Sequence, residues 1–157
     1  MRAPRNKFLD LTSQLIFRQT TAQEVWPLRH AVLRSGLMLD TAKFDGDFNR
    51  TTRHFGAFHD TDLLCCLSLF HSTWSDTNAW QVRGMATAPT HQRQGIGKIL
   101  LRHAINMAHD ENPEWPFWCN ARTTAIGFYE QADWSVETDI FDIPTAGPHV
   151  RMYYYRE

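Results

Sequence analysis

The order of apolar and polar positions along the chain alternates between strand-like and helix-like periods. Residues 15–19 are predicted to form a first strand. Thr21 and Glu24 then form a capping box, in which the threonine accepts an amide hydrogen bond at the start of a helix. Gly36 is a suitable end for that helix, and residues 40–50 are rich in turn formers. Apolar residues recur at helical spacing between these limits, at Val25, Leu28, Val32 and Leu33.

The middle of the chain reads as strands. Residues 53–59 and 63–71 are predicted to form a hairpin around a turn at 60–62, and residues 79–87 form another strand. Pro89 then breaks the pattern. A helix of about four turns follows and ends at Pro113. Its apolar face carries Ile96, Ile99, Leu100, His103 and Met107.

The last third completes the predicted order β-α-β-β-β-α-β-α-β-β. It contains a short buried strand at 117–119, a helix over 121–131, and two strands at 134–141 and 149–155. Strands mixed with helices favour an α/β or α+β layer fold. Repeats and linkers are absent, so we expect one domain over 1–157 with its core at about 15–155.

Composition narrows the class of protein. The 157 residues are 43% hydrophobic, enough for a packed core, and the net charge of −1 gives no electrostatic reason to expect nucleic acid as a partner. We find neither a signal-peptide core nor an apolar run near the roughly 20 residues of a membrane span. Three cysteines without C-x-x-C spacing and eight scattered histidines predict a cytoplasmic protein without a metal site.

One segment has the features of a phosphate-binding turn. Glycines at 95 and 97 stand where the long helix begins, and the free amides of a first helical turn stabilise an anion such as pyrophosphate. A Walker loop is excluded because Ile99 follows Lys98, and the dinucleotide fingerprint is excluded because position 100 is Leu. Taken alone, the segment is also compatible with an ordinary helix start that uses glycines for packing.

The sequence around this turn resembles the GNAT superfamily, the Gcn5-related N-acetyltransferases. Gln92-x-x-Gly95-x-Gly97 meets every term of the family's cofactor signature, and residues 83–89 look like its fourth strand. Residues 120–130 are similar to its second signature, and the likeness extends in order from Leu15 to Tyr155. Asp133 stands where many relatives have glycine, and an aspartate tolerates a left-handed backbone better than most residues.

The resemblance implies a mixed, mostly antiparallel central sheet with splayed central strands and helices on both faces. It implies acetyl-CoA, or coenzyme A, as the cofactor, with direct acetyl transfer to a primary amine. An alternative is a catalytically silent module of the same fold that binds CoA or acyl-CoA. The positions implied for the cofactor are Met85, Ala86, Thr87, Gln92, Arg93, Gln94, Gly95, Ile96, Gly97, Lys98 and Asn120.

Two residues are candidates for proton transfer. Tyr129 matches the family's proton donor to the leaving thiolate, although its helical position also fits a core residue. His149 is the candidate general base because imidazole titrates near neutral pH, and it also fits a turn or surface histidine. Thiolate attack by Cys119 is a rival covalent scheme, but no histidine stands beside it in sequence.

The acceptor is expected to be a small-molecule or peptide amine. Asp45 and Asp47 lie on the segment that borders the acceptor site in relatives, and they could attract an ammonium group. Arg29 and Arg34 could pair with an acceptor carboxylate, or form surface ion pairs. Arg83, inside a strand, is expected to have a buried acidic partner. The aromatic tail at 152–155 could pair across a homodimer.

Overall fold

The computed structural model describes residues 11–157, and eight strands of this part form one sheet in the order β1-β2-β3-β4-β5-β8-β6, with β7 on β8. All neighbouring strands are antiparallel except the parallel pair β4–β5. The strands are β1 (Ile16–Thr20), β2 (Arg53–His59), β3 (Asp62–Trp74), β4 (Thr77–Thr87), β5 (Phe117–Arg122), β6 (Ser135–Val136), β7 (Phe141–Ile143) and β8 (Gly147–Tyr154). The helices are α1 (Ala22–Leu33), α2 (Ile96–Glu111) and α3 (Ile126–Gln131).

The two long helices cover opposite faces of the sheet. Successive side chains of a strand point to opposite faces, so β3 packs against both helices. Cys65, Leu67 and Leu69 belong to the main core, which α2 covers with Ile96, Leu100, Leu101, Ala104 and Ile105. Cys66 lies in a second cluster with Val25 of α1. The expected mixed sheet with helices on both faces is confirmed.

The start of α1 follows from its first residues. Thr21 is extended and accepts a 3.2 Å hydrogen bond from the amide of Glu24, as the capping pattern predicts. The carboxylate of Glu24 accepts from the hydroxyl of Thr20 instead of closing back on Thr21. Within the described residues, no helix is both long and apolar enough to cross a membrane.

A bulge on β4 changes which face of the sheet its side chains reach. Ala86 pairs with Cys66, but Arg83 pairs with Ser68, so two residues of β4 stand opposite Leu67 alone. One of them is Gly84, whose φ is +64°. Before the bulge Trp80 and Val82 point toward α2, whereas after it Met85 does so and Ala86 points toward α1.

Strands β4 and β5 separate beyond this bulge. They are paired only through Trp80–Phe117, Gln81–Trp118 and Val82–Cys119. Among residues 11–157, the edge of β4 that faces β5 therefore has no strand partner after Val82, which is the predicted splay. The gap opens through the middle of the sheet, between the sides covered by α1 and by α2.

Two predicted elements differ from the structure. The helix predicted over 121–131 is only Ile126–Gln131, because residues 120–122 extend β5 by pairing with β8. The strand predicted over 134–141 is divided into β6 and β7, both paired with β8. Between them the hydroxyl of Thr138 accepts the hydrogen bond of the Arg151 amide, at 2.9 Å, and interrupts the ladder.

Candidate active site

The loop before α2 is shaped by two residues with left-handed backbones. Arg93 has a φ of +61° and Gly95 a φ of +82°. The side chain of Gln92 donates to the main-chain oxygen of Thr87 at 3.1 Å, which holds the loop against the end of β4. A Cβ built on Gly95 would meet no atom of the described chain within 4 Å, so the space above the helix start is open.

The other glycine of this motif has a packing role. A Cβ on Gly97 would lie 3.3 Å from both Met85 and Phe128, so the first turn of α2 rests against β4 and α3. The side chain of Ile96 is buried in the core, and that of Ala86 is buried beneath α1. At these two predicted cofactor positions only the main chain faces outward.

A pocket of about 260 Å³ occupies the gap between β4 and β5. It brings together five of the predicted site residues, which come from five different elements or their ends: Arg34, Met85, Asn120, Tyr129 and His149. On its α2 side lie Met85 and Tyr129, and the alternation of β5 places Asn120 on the α1 side.

Tyr129 is 6% exposed, and its ring packs edge-to-face against Phe128 and at a tilt against Trp134. Its hydroxyl lies beside the thiol of Cys119. Burial raises the pKa of Tyr129 well above its ordinary value, and the neighbouring Cys119 acts in the same direction. The phenol is therefore held in its protonated, proton-donating form.

The thiol of Cys119 does not fit the covalent scheme. Burial raises its pKa to about 12, so the thiolate needed for attack is scarce at neutral pH. Cys65 and Cys66 are also buried and unpaired, and burial raises their pKa values to about 11 and about 12. Within residues 11–157, no group of three His, Cys, Asp or Glu side chains is arranged to hold a metal ion.

His149 and Asn120 line the pocket from neighbouring strands. His149 is 5% exposed, and its Nδ1 lies 2.7 Å from the main-chain oxygen of Gly147, so Nδ1 carries the proton and Nε2 is the free acceptor. The amide oxygen of Asn120 is buried and has no hydrogen-bond partner in the described chain. A bound group with an N–H would satisfy it.

Arg29 and Asp47 pair with each other instead of lying open to an acceptor. Their side chains are 0% and 1% exposed, and Arg29 Nη1 lies 2.8 Å from Asp47 Oδ2. Burial alone would raise the pKa of Asp47, but hydrogen bonds from Arg29, Trp26 and the Phe44 amide outweigh it and lower the pKa. This burial argues against direct substrate contact by either residue. Asp45 is exposed and does not line the pocket.

A directional hydrogen-bond chain continues from this pair. Arg29 donates to the Ser68 hydroxyl at 3.0 Å, and that oxygen lies 2.6 Å from Nδ1 of His54. Nε2 of His54 lies 2.8 Å from the main-chain oxygen of Asp47. Nε2–H donates to the carbonyl, and in neutral His54 the Nδ1 atom accepts from the Ser68 hydroxyl. Burial lowers the pKa of His54, with Asp47 opposing it.

Arg83 lacks the acidic partner expected for it. No carboxylate of the described chain lies within ion-pair distance, and its guanidinium instead stacks over Phe44 and Phe70, at 4.5 and 5.2 Å from the ring centres. Arg122 also lines the pocket and was not among the residues predicted for the site. Arg122 follows Asn120 by two residues on a strand, so the two side chains lie on the same face, and this spacing could have identified it from the sequence.

Comparison with known proteins decides the family. The model of the acetyltransferase (GNAT) family matches residues 18–134. The chain belongs to the GNAT family. A curated relative, the uncharacterized N-acetyltransferase YitI of Bacillus subtilis, is 29% identical over 136 residues, which are 85% of this chain and 91% of YitI.

Solved structures agree on the fold. Escherichia coli ElaA superposes with a TM-score of 0.75 at 14% identity, covering 88% of this chain and 98% of ElaA. An aminoglycoside 6'-N-acetyltransferase solved with coenzyme A gives a TM-score of 0.70 at 10% identity, covering 88% of this chain and 96% of that one. The family match and the YitI relative identify this chain as an acetyl-CoA-dependent N-acetyltransferase acting on amines. They give no support to a catalytically silent CoA-binding module.

Proposed function

We propose that the pocket between β4 and β5 is where an acetyl group passes directly from acetyl-CoA to an amine. One observation carries this proposal. The gap that opens after Val82 brings Met85, Asn120, Tyr129 and His149 to one pocket, beside the glycine-bearing start of α2. A passage through the sheet lets the acetyl donor approach from the α2 side and the amine from the α1 side.

The residues around the start of α2 fit coenzyme A. The amides of residues 93–98 would hold its pyrophosphate, because the first turn of a helix leaves its N–H groups unpaired and the space above Gly95 is open. The unpaired edge of β4 at Met85 and Thr87 would hold the pantetheine arm. Bound there, acetyl-CoA supplies an acetyl group activated as a thioester.

Groups of the chain itself would then stabilise the developing charge and transfer the protons. Main-chain amides at the free edge of β4 would stabilise the oxyanion of the thioester carbonyl. The C–N bond forms as the C–S bond breaks, so one proton must leave the amine and one must reach the sulfur. Nε2 of His149 accepts the first, directly or through water, and the hydroxyl of Tyr129 supplies the second.

Release of free CoA thiol from acetyl-CoA, measured with a panel of amines, tests this proposal. We expect amine-dependent release by the wild type, and its absence with every amine would contradict the proposal. For His149, kcat/KM is followed against pH. His149→Gln should flatten the acidic limb, whereas His59→Gln on β2 should keep it. An unchanged profile in His149→Gln would assign that residue a structural role.

Several expectations stay predictions. Three buried, unpaired cysteines support a reducing compartment such as the cytoplasm. A single domain with its core at about 15–155 accords with one continuous sheet. The homodimer has less support, because Tyr153 and Tyr155 of the aromatic tail pack against Trp74 of their own chain.

A further inference from the structure

The α1 side of the pocket is lined by arginines. Arg34 follows α1, Arg83 lies on β4 just before the bulge, and Arg122 ends β5. His149 stands opposite Arg122 in the β5–β8 ladder. Among the described residues that line the pocket there is no aspartate or glutamate. Its walls therefore carry only positive and neutral groups.

The charges of these arginines are not neutralised by ion pairs within residues 11–157. Arg29 is paired with Asp47, but Arg34, Arg83 and Arg122 have no carboxylate within 4 Å. Asp45 and Asp47 act on Arg83 only at longer range. A cationic cluster that is partly buried and lacks a counter-charge is costly, and a bound anion relieves this cost.

Arg34 and Arg122 converge on one point. Arg34 Nη1 and Arg122 Nη2 both donate to the main-chain oxygen of Leu33, at 3.2 and 2.9 Å. Burial lowers the pKa of Arg34, and the positive charges of Arg122 and Arg29 lower it further, as expected for guanidinium groups held close together. Each guanidinium has five N–H groups, so most remain available to a ligand.

Asn120 adds a different recognition element on the same face. Asn120 lines the pocket two residues before Arg122, and its buried amide oxygen lacks a partner in the described chain. An amide oxygen accepts hydrogen bonds, so it suits the N–H groups of an amine. The pocket thus offers an acceptor for an amine close to a pair of donors for an oxyanion.

We propose that the acceptor is an amine that also carries a carboxylate, of amino-acid size, with its carboxylate on Arg34 and Arg122 and its amine at Asn120. This inference rests on the proposed function. A guanidinium pair suits both carboxylate and phosphate. A pocket of about 260 Å³ fits a compact carboxylated amine and, because its walls carry cations, disfavours a polyamine.

The test measures thiol release from acetyl-CoA with matched acceptors. The set contains L-amino acids, the corresponding amino-acid amides, the decarboxylated amines, O-phosphoethanolamine and spermidine. We expect kcat/KM for the best amino acid to exceed that for its own amide by roughly 100-fold or more, because an unfilled charged site rejects the neutral analogue. Equal or better use of the amides, spermidine or O-phosphoethanolamine would overturn the inference. The absence of amine-dependent thiol release with every acceptor would overturn the proposed function instead.

Variants of Arg34 and Arg122 test whether the preference for a carboxylated amine depends on these two side chains. Arg34→Met and Arg122→Met should each lower kcat/KM for the amino acid roughly 10- to 100-fold through KM, while the amide's value changes little. CoA affinity, measured by calorimetry, should stay unchanged in both. Arg18→Met removes a surface arginine on β1 and should keep the wild-type preference. If both pocket variants also retain that preference, the inference is wrong. If Arg34→Met does not fold, Arg34→Lys is measured in its place.

Discussion

The hydroxyl of Tyr129 on α3 lies beside the thiol of Cys119 on β5. The contact crosses from the helix that closes the pocket to the strand that forms one of its walls. Because both groups are buried and protonated, the phenol is held in place while its proton is kept. A neutral thiol is a weak partner, so the hydroxyl can turn toward a sulfur that develops negative charge.

Tyr129→Phe should lower kcat by roughly 100-fold, the lower end of the range for lost general-acid help, because a CoA thiolate is a fairly good leaving group. The ring and its packing remain, so the dissociation constant of CoA should change little. Steady-state turnover together with calorimetry checks this. Tyr155→Phe, at an exposed tyrosine, is the matched control. A wild-type kcat in Tyr129→Phe would show that the residue serves only the core.

Gly95→Ala should weaken CoA binding at least tenfold, because its methyl group would occupy the open space where the pyrophosphate is expected. The left-handed backbone adds about 1 kcal/mol of strain. Gly36 has a φ of +81° and equally open surroundings, so Gly36→Ala carries the same strain far from the helix start. Both variants should lose similar stability, and only Gly95→Ala should lose affinity by calorimetry. Equal CoA affinities in the two variants would place the pyrophosphate elsewhere.

Asp47→Asn should destabilise the protein by about 3–5 kcal/mol, since it leaves the buried guanidinium of Arg29 without its counter-charge. Asp45→Asn changes an exposed carboxylate two residues away and should cost less than about 0.5 kcal/mol. Urea unfolding of both variants at neutral pH measures the difference. If the two variants were equally stable, the pair would not anchor the segment before β2.

The unfolding free energy should fall as the pH drops below about 6.5, the ordinary pKa of histidine. His54 has a lowered pKa in the folded state, so the unfolded chain binds the proton first, and stability is lost between the unfolded and folded values. The lowered pKa of His71 acts in the same direction, so the contribution of His54 is measured by comparing the wild type with His54→Gln. The slope for the wild type should exceed that of His54→Gln by at most about 1.4 kcal/mol per pH unit. His59→Gln should keep the wild-type slope. A steeper slope in His54→Gln would contradict a neutral His54 in the hydrogen-bond chain from Arg29 through Ser68.

Local patterns predicted the parts of this fold that depend on neighbouring residues. The Thr21 cap and the left-handed Asp133, whose φ is +70°, follow from short stretches of sequence. The apolar face predicted for α2 was wrong at Ile99 and Met107, which are 37% and 40% exposed, because the buried face is rotated toward Leu101, Ala104, Ile105 and Ala108. The extension of β5 to Arg122 and the division between β6 and β7 did not follow. Both depend on pairing with β8, which is distant in sequence.

The candidate site was likewise predictable where its residues belong to short contiguous motifs. The glycines at 95 and 97 and the tyrosine at 129 belong to contiguous motifs. The pairing of Arg29 with Asp47 joins residues 18 positions apart and depends on how residues 40–50 fold over α1. The convergence of Arg34 and Arg122 joins opposite halves of the chain through Leu33, and such a meeting has no local signature.

The bulge at Gly84 has a consequence for how the protein can diverge. Because β4 changes face there, Gln81 and Arg83 point to the α1 side, proposed for the amine, whereas Met85 and Thr87 point to the α2 side, proposed for the cofactor. The strand is therefore two independent recognition segments joined at one glycine. On the proposed arrangement, substitutions at 81 and 83 should alter which amine is accepted and leave CoA binding unchanged. Gly84 itself has no such freedom, because a Cβ there would lie 2.7 Å from Nε of the buried Arg29.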